Sequence, residues 1–357
     1  GANVLLEWEH SWKRRQQAGE ETIKKTFFSR QKEGILVSFA IQLFTIPLVA
    51  YSYYEIPVYA MLINLFVLAV VNGLLGLTVL GVIVGMAFLP AGRVLFAPCG
   101  WMLDSYRFLC EVSLKIPGAQ RITGKPAHMR IFWYYLGLGV FLLAIYACAR
   151  RNEKHKDCRE TADLCVSRRK KRLQGIVFSC FIAFLLLFLL FPQKKSFEID
   201  FLDVGQGDGI YLCTGGGTSM FIDGGSTDVK QVGKYRILPF LKAKGVSEIS
   251  YWFVSHTDTD HVSGLKEVLV SGYRVEYLVF AKAVEKEAKT KELAELARSH
   301  GTKVLYMQAG DTVRNKRAAM SCLYPKASDK AEDVNDRCLV LQFEEGDIRA
   351  LFGGDIS

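Results

Sequence analysis

The stretch Val254-Ser255-His256-Thr257-Asp258-Thr259-Asp260-His261 decides how this chain is read. From His256 onward it carries two imidazoles and two carboxylates, in a sequence with only 6 histidines among 357 residues. Neutral imidazole nitrogen and carboxylate oxygen together form a donor set for a divalent cation such as Zn²⁺, Mn²⁺ or Fe²⁺. The apolar run Ile249 to Val254 just before it reads as a buried strand. A loop leaving the end of such a strand aims successive side chains at one point, and a helix is expected to resume at about Val262. The candidate ligands are therefore His256, Asp258, Asp260 and His261.

Around this motif the chain alternates. Glu198 to Val204 has the period of a half-buried strand, and Gly205-Gln206-Gly207-Asp208-Gly209 is a tight turn. Short strands at Ile210–Thr214 and Ser219–Ile222 follow, ending at Asp223-Gly224-Gly225. Helices are expected at Tyr235–Lys244, Val262–Val270 and Lys286–Ser299. Strands are expected at Val275–Phe280, Lys303–Met307, Ala319–Tyr324, Cys338–Phe343 and Ile348–Phe352. A meander followed by alternation predicts sheets sandwiched between helices.

Upstream the composition changes. Gly34–Tyr54, Ile56–Gly92, Ile131–Ala149 and Leu173–Gln193 contain no Asp, Glu, Lys or Arg. Each reaches the roughly 20 residues that a bilayer-spanning helix needs. Ile56–Gly92 is longer than one span needs, so it is either two short helices parted at Asn72-Gly73 or one long tilted helix whose end runs into the interface. In residues 94–116 Asp104, Arg107, Glu111 and Lys115 recur every three or four positions. They predict an amphipathic helix at the membrane interface, or else a span with charges facing a protein-lined path.

Residues 150–172 hold ten Lys or Arg, and Lys13, Arg14, Arg15, Lys24, Lys25, Arg30 and Lys32 precede the first span. Both flanks are expected to be cytoplasmic, which puts everything after Lys194 on the external face. Three regions follow: a juxtamembrane arm (1–33), a transmembrane region of four to six helices (34–193), and an α/β domain (194–357). The net charge of +9 comes largely from the inner flanks and does not by itself indicate nucleic acid. The nine cysteines include no close CxxC pair, so no zinc ribbon is signalled. Arg314-Asn315-Lys316-Arg317 reads as a solvated turn, His300 as a helix-terminal side chain, and His10, His128 and His155 as interfacial. Gly1 in place of Met, and a stop at Gly354-Asp355-Ile356-Ser357 within a strand-and-loop pattern, suggest a piece of a longer chain.

His256-Thr-Asp258-Thr-Asp260-His261, with Asp223-Gly224-Gly225 before it and Gly354-Asp355 after it, resembles the metallo-β-lactamase fold, an αββα sandwich. Phe201-Leu202-Asp203-Val204-Gly205-Gln206-Gly207-Asp208, the HxDxDH form of the motif and the preceding apolar helices narrow this. Together they resemble the ComEC-type DNA-internalisation competence proteins of bacteria. Thr45-Ile46-Pro47 and Leu62-Ile63-Asn64-Leu65 are similar to that family's membrane domain.

The resemblance implies one or two divalent ions, Zn or Mn. His256 and Asp258 would hold the first, Asp260 and His261 the second, with Asp355 reaching between them and Asp223 fixing the ligand loop. Asp203 and Asp208 are expected to shape their turn, and Asn335 to lie near the site. Asp258 stands where the fold usually has histidine, which shifts preference toward Mn²⁺. A further histidine expected beyond Gly354-Asp355 has no counterpart in this sequence, so the site would be incomplete.

The implied activity is metal-dependent hydrolysis of a phosphodiester, of nuclease type, with Asp260 and His261 as the catalytic pair. The implied partners are DNA, one strand passing through the membrane domain, together with membrane lipid, other competence proteins and further copies of the chain. The implied location is the bacterial cytoplasmic membrane, crossed several times. Two other readings stay open at this point: a membrane-anchored hydrolase of another ester, and a channel whose hydrolase-like domain is only structural.

Overall fold

The computed structural model describes residues 34–116, 118–156, 164–191, 195–315, 318–326 and 337–355. The basic arm before residue 34, part of the basic loop at 150–172, Asn335 and the Lys316-Arg317 pair lie outside those residues. Two compact units divide the chain. One holds residues up to Val49 and Ile56–Arg121, the other Ala50–Glu55 and everything from Ile122 onward.

The apolar segments form helices: α1 (Gly34–Tyr53), α2 (Ala60–Ala87), α3 (Leu89–Lys115), α4 (His128–Lys156) and α5 (Leu164–Leu190). Gly34–Tyr53, Val70–Ala87 and His128–Cys148 are long and apolar enough to cross a bilayer, and Gly175–Leu190 is a shorter apolar stretch. The protein is therefore a membrane protein.

Of the two arrangements open for Ile56–Gly92, the structure has the unbroken one at Asn72-Gly73. α2 runs through it unbroken. A helical glycine costs only about 1 kcal/mol, whereas a broken helix in hydrocarbon leaves several backbone groups unbonded. The chain turns instead at Phe88, which is extended (φ −148°, ψ 97°), with a proline opening α3.

Residues 94–116 form most of α3, which runs back antiparallel along α2. Near the turn, a Cβ on Gly92 would lie 2.6 Å from the Gly85 Cα, so only glycine lets the backbones approach so closely. Farther along, Thr78 Oγ1 lies 3.8 Å from Cys99 Sγ, and Tyr106 donates its hydroxyl to the Val67 carbonyl at 3.3 Å.

In the second unit α4 and α5 are also antiparallel. Phe141 packs on Phe178 and Phe181, with ring centroids 5.0 and 5.1 Å away, and Arg130 Nη1 donates to the Phe191 carbonyl at 2.7 Å.

A two-sheet domain follows in the same unit. Strands β1 (Glu198–Phe201), β2 (Gly209–Cys213), β3 (Ser219–Asp223), β4 (Glu248–Phe253), β5 (Arg274–Ala281) and β6 (Lys303–Met307) lie side by side in that order. β1 to β3 are antiparallel; β3 to β6 are parallel and linked through α6 (Leu238–Ala243), α7 (Thr259–Val270) and α8 (Ala288–Ser299). The second sheet is antiparallel, in the order β10 (Ile348–Phe352), β9 (Val340–Glu345), β8 (Ala318–Tyr324), β7 (Thr312–Asn315). Within these two sheets, β7 is the strand the pattern did not announce, because Val313 is its single apolar residue.

One apolar core draws on both sheets and on the helices. In β8 Ala318, Met320 and Cys322 point inward while the residues between them do not, the period-two signature of a sheet covered on one face. Phe197 stacks on Phe343 of the second sheet at 5.9 Å. Among the described residues the layers are helices, six-stranded sheet and four-stranded sheet. This is a helical region followed by an α/β domain, as expected.

Candidate metal centre

Parallel neighbours β3 and β4 end side by side, with Ile222 opposite Phe253. In sheets of this kind ligands gather at the carboxyl ends of such strands. Asp223 closes β3, and Ser255 and His256 follow β4.

Asp223 has φ +58°, a left-handed conformation that aspartate tolerates better than most side chains. Three hydrogen bonds hold it there. Its carbonyl accepts from Trp252 Nε1 at 2.6 Å and Oδ1 accepts from the Ser255 amide at 2.7 Å, while Oδ2 faces His261 Nδ1 at 3.1 Å.

Helix α7 begins earlier than expected, at Thr259 rather than about Val262, with Asp258 as its extended cap residue. Asp260 and His261 therefore sit in the first helical turn and not in a loop. A carboxylate there interacts favourably with the exposed amides of the helix start.

Glycines let three segments converge on this turn. A Cβ on Gly225 would lie 2.4 Å from the Asp260 carbonyl carbon, one on Gly207 would lie 2.4 Å from its oxygen, and one on Gly264 would lie 2.4 Å from the Gly224 oxygen. No other residue fits these contacts. They bring the 205–209 turn, the 223–225 turn and α7 together.

His256 and His261 are 3 % and 1 % exposed, with ring centroids 3.8 Å apart. The Ser255 hydroxyl lies between their Nδ1 atoms, at 3.1 and 3.3 Å. Cys338 Sγ is 3.5 Å from His256 Nδ1. The Nε2 atoms face the carboxylates. His261 Nε2 is 3.3 Å from Asp355 Oδ2 and 3.9 Å from Asp260 Oδ2, and His256 Nε2 is 4.0 Å from Asp258 Oδ2. One imidazole nitrogen anchored and the other open toward carboxylates is the arrangement metal-binding histidines adopt.

Two groups have donor atoms all within 4.8 Å of one another: His256, Asp260 and His261, and Asp208, Asp223 and His261. Asp355 adjoins the first. Asp258 does not join it as tightly, because its Oδ1 accepts from Lys289 Nζ at 2.8 Å. Asp208, expected only to shape its turn, stands in the second group; the glycine spacing on either side of it was the signal. Ser255 and Lys289 carried no signal in the sequence. Asp203 lies apart, paired with Arg236 at 2.9 Å.

The charges support a cation. Burial opposes protonation of His261, yet the hydrogen bond to Asp223 and the charges of Asp355 and Asp260 prevail and raise its pKa to about 9. His256 shifts down through burial and its charged neighbour His261. Burial, then Asp223, pushes Asp208 above the usual carboxylate range. Hydrogen bonding to Lys289 draws Asp258 below it. Carboxylates crowded enough to hold a proton on a buried imidazole form a pocket of negative potential. That donor set, two nitrogens with several oxygens, fits a divalent ion.

Residues 4–147 match the family model described as Competence protein. ComE operon protein 3 of Bacillus subtilis (strain 168) is 24% identical over 339 residues, which cover 90% of this chain and 40% of that protein. Recombination protein 2 of Haemophilus influenzae (strain ATCC 51907 / DSM 11121 / KW20 / Rd) is 31% identical over 106 residues, covering 29% of this chain and 13% of that protein. The metallo-beta-lactamase fold protein YhfI from Bacillus subtilis shares 12% identity at a TM-score of 0.31, over 42% of this chain and 55% of that one. At that score the fold description rests on the strand order given above. The chain is thus similar to the Competence protein family over residues 4–147 and to ComE operon protein 3 over 90% of its length. It spans less than half of each of these two relatives.

Proposed function

We propose that this Competence-domain chain takes part in DNA uptake across the cytoplasmic membrane during natural transformation, its helices serving the passage of one strand and its α/β domain acting outside as a metal-dependent phosphodiesterase. The family match and the relatives' names support the uptake role. The observation that carries the hydrolase role is His261, with Nδ1 held by Asp223 and Nε2 turned to Asp260 and Asp355.

Helix ends support the multi-pass arrangement. The Tyr51 ring, near the end of α1, lies 5.2 Å from the ring of His128 at the start of α4. The antiparallel α2–α3 hairpin brings its own two ends together, with the Val58 amide donating to the Ala119 carbonyl at 2.8 Å. If α2 spans the bilayer, so does α3, and Asp104, Arg107 and Glu111 face a polar path instead of lipid. With the basic arm inside, the shared end of α1, α4 and α5 is external, and so is the α/β domain.

At the site, His256, Asp260 and His261, joined by Asp355, would hold the ion, and Asp258 or Asp208 would complete it. A divalent cation there would acidify a water molecule and offset charge on a phosphodiester. Asp223 accepts from His261 Nδ1, so Nε2 is the nitrogen that would ligate once a cation displaced its proton. Lys289, at the exposed rim, places a positive charge where a phosphate backbone would enter.

The test uses the full-length protein in bilayer discs with end-labelled duplex DNA and Mn²⁺ or Zn²⁺. Cleavage should require the metal and vanish in Asp260→Asn. Equal cleavage by the variant would remove the hydrolase role. Cleavage of a small phosphodiester, but never of DNA, would favour the reading of a membrane-anchored hydrolase of another ester.

A further inference from the structure

Three segments cross beside the candidate metal centre, and Cys338 stands at the crossing. The first follows β4 and carries Ser255 and His256. The second runs from Cys338 through Leu339 into β9, and the third is the turn after β10 that carries Gly354 and Asp355. The Leu339 amide donates to the Ser255 carbonyl at 2.9 Å, which ties the second segment to the first. Gly354 has φ +57°, and a Cβ there would lie 3.0 Å from the Ser255 Cβ and 3.5 Å from the Cys338 Cβ. Any side chain at that position would push the third segment away from the other two.

The Cys338 side chain links candidate ligands that come from different sheets. It is fully buried. Its Sγ lies 3.5 Å from His256 Nδ1 and takes a hydrogen bond from the Asp355 backbone amide. His256 follows the six-stranded sheet, and Asp355 follows the four-stranded one. An ion held by His256, His261 and Asp355 would draw on both sheets, so their spacing sets the width of the site. A sulfur in contact with both halves helps to fix that width.

His256 also needs its proton on a particular nitrogen. For Nε2 to ligate, Nδ1 must keep the proton and find an acceptor for it. Ser255 Oγ lies 3.1 Å from that nitrogen, but it also faces His261 Nδ1 at 3.3 Å. A hydroxyl that receives a proton from His261 tends to pass its own to His256 Nδ1. The His256 proton would then sit on Nε2 and block it. Cys338 Sγ supplies the other acceptor, and a thiol is too weak a donor to compete for Nδ1 as a hydroxyl does.

We propose that Cys338 is a positioning residue of the metal centre. Its sulfur accepts the Nδ1 proton of His256, which keeps Nε2 open to an ion, and it holds the Asp355 backbone in place. It is not itself a ligand: Sγ lies on the Nδ1 side of the ring and belongs to neither group of converging donor atoms. This role rests on the metal-hydrolase reading above, since only a bound ion would use the open nitrogen.

The test compares Cys338→Ala and Cys338→Ser in the full-length protein. Calorimetry measures Mn²⁺ and Zn²⁺ binding, and nitrogen NMR on metal-free protein labelled at histidine reads the tautomer of His256, whose signals are those missing from His256→Gln. The alanine variant should bind Mn²⁺ about tenfold more weakly, the lower end for a group that supports a ligating histidine. Its His256 should change from the Nδ1–H form to the Nε2–H form. Serine keeps a hydrogen-bonding atom at this position, so Cys338→Ser should bind the ion more tightly than Cys338→Ala. A role in packing alone predicts the opposite order, because a buried hydroxyl costs more than a methyl. An unchanged tautomer in the alanine variant would overturn the proposal, as would ion affinity in that variant equal to the parent's or above that of the serine variant. A parent protein that binds no ion would sink the metal-hydrolase reading, and the tautomer would then decide the role of Cys338 by itself.

Discussion

His261 Nδ1 lies 3.1 Å from Asp223 Oδ2, and both side chains are almost wholly buried. This contact joins the ends of β3 and α7, and it decides which nitrogen of His261 is free. Asp223 is an acceptor on both oxygens, because Oδ1 already takes the Ser255 amide. The imidazole must therefore donate from Nδ1, so Nε2 is the nitrogen that faces the carboxylates and whose proton a bound cation would displace.

Asp223→Asn should break this arrangement whichever way the amide turns. An NH₂ toward His261 forces the ring proton to Nε2, and an NH₂ toward Ser255 opposes another donor. Affinity for Mn²⁺ or Zn²⁺ should fall by about 10–100-fold, measured by calorimetry on the full-length protein. Unchanged affinity would mean that Asp223 does not orient the ligand.

Gly225→Ala should damage both stability and site. The new methyl would lie 2.4 Å from the Asp260 backbone, which no rotamer relieves. A loss of about 1–3 kcal/mol is expected from overpacking of this kind. Gly139→Ala, in α4 with nothing within 4 Å of the added carbon, should be neutral or stabilising by up to about 1 kcal/mol. Denaturation midpoints that rank the two in the opposite order would refute the close-approach argument.

Lys289→Ala should release Asp258. The ammonium now competes with any ion for that carboxylate. Exposed pairs of this kind contribute roughly 0.2–1 kcal/mol, so affinity for the weaker of two ions should rise about 1.4- to 5-fold. Counting bound Mn²⁺ by electron paramagnetic resonance checks this; a weaker second ion in the variant would count against it.

Asp228 gives a pH dependence. The Gln206 amide at 2.8 Å and the Ser226 hydroxyl at 2.7 Å both donate to it and hold its pKa below the usual value. A depressed folded-state pKa means that the contribution to stability is full above the unfolded value, near 3.9, and is lost as pH falls through the folded one. Thermal melts from pH 6 to pH 3 should show Asp228→Asn losing less stability over that range than the parent. Parallel curves would show that these bonds contribute nothing.

Much of the fold was legible because its signals are local. Apolar length marked the membrane helices, and period-two alternation marked nearly every strand. Composition left open whether the helix breaks at Asn72-Gly73; it does not, because glycine breaks helices readily only where water can satisfy the freed backbone. β7 stayed hidden because its strand character comes from pairing with β8, not from its own composition. In the site, His256, Asp260 and His261 were evident from spacing alone. Asp208 and Lys289 reach the site from other segments, Asp208 marked only by its flanking glycines and Lys289 by nothing, while Ser255 adjoins His256 but its contacts with both imidazoles arise only in the fold.

By itself the sequence determined that a charged, histidine-bearing motif follows a buried strand, and that apolar helices precede the domain containing it. Composition and period act between near neighbours, so a linear reading captures them. Only the tertiary structure decided that α3 folds back on α2, that Asp260 and His261 begin a helix, and that Lys289 takes Asp258. Those outcomes depend on which backbones approach within van der Waals contact, as at Gly207, Gly225 and Gly264, and on which charge is nearest once they have.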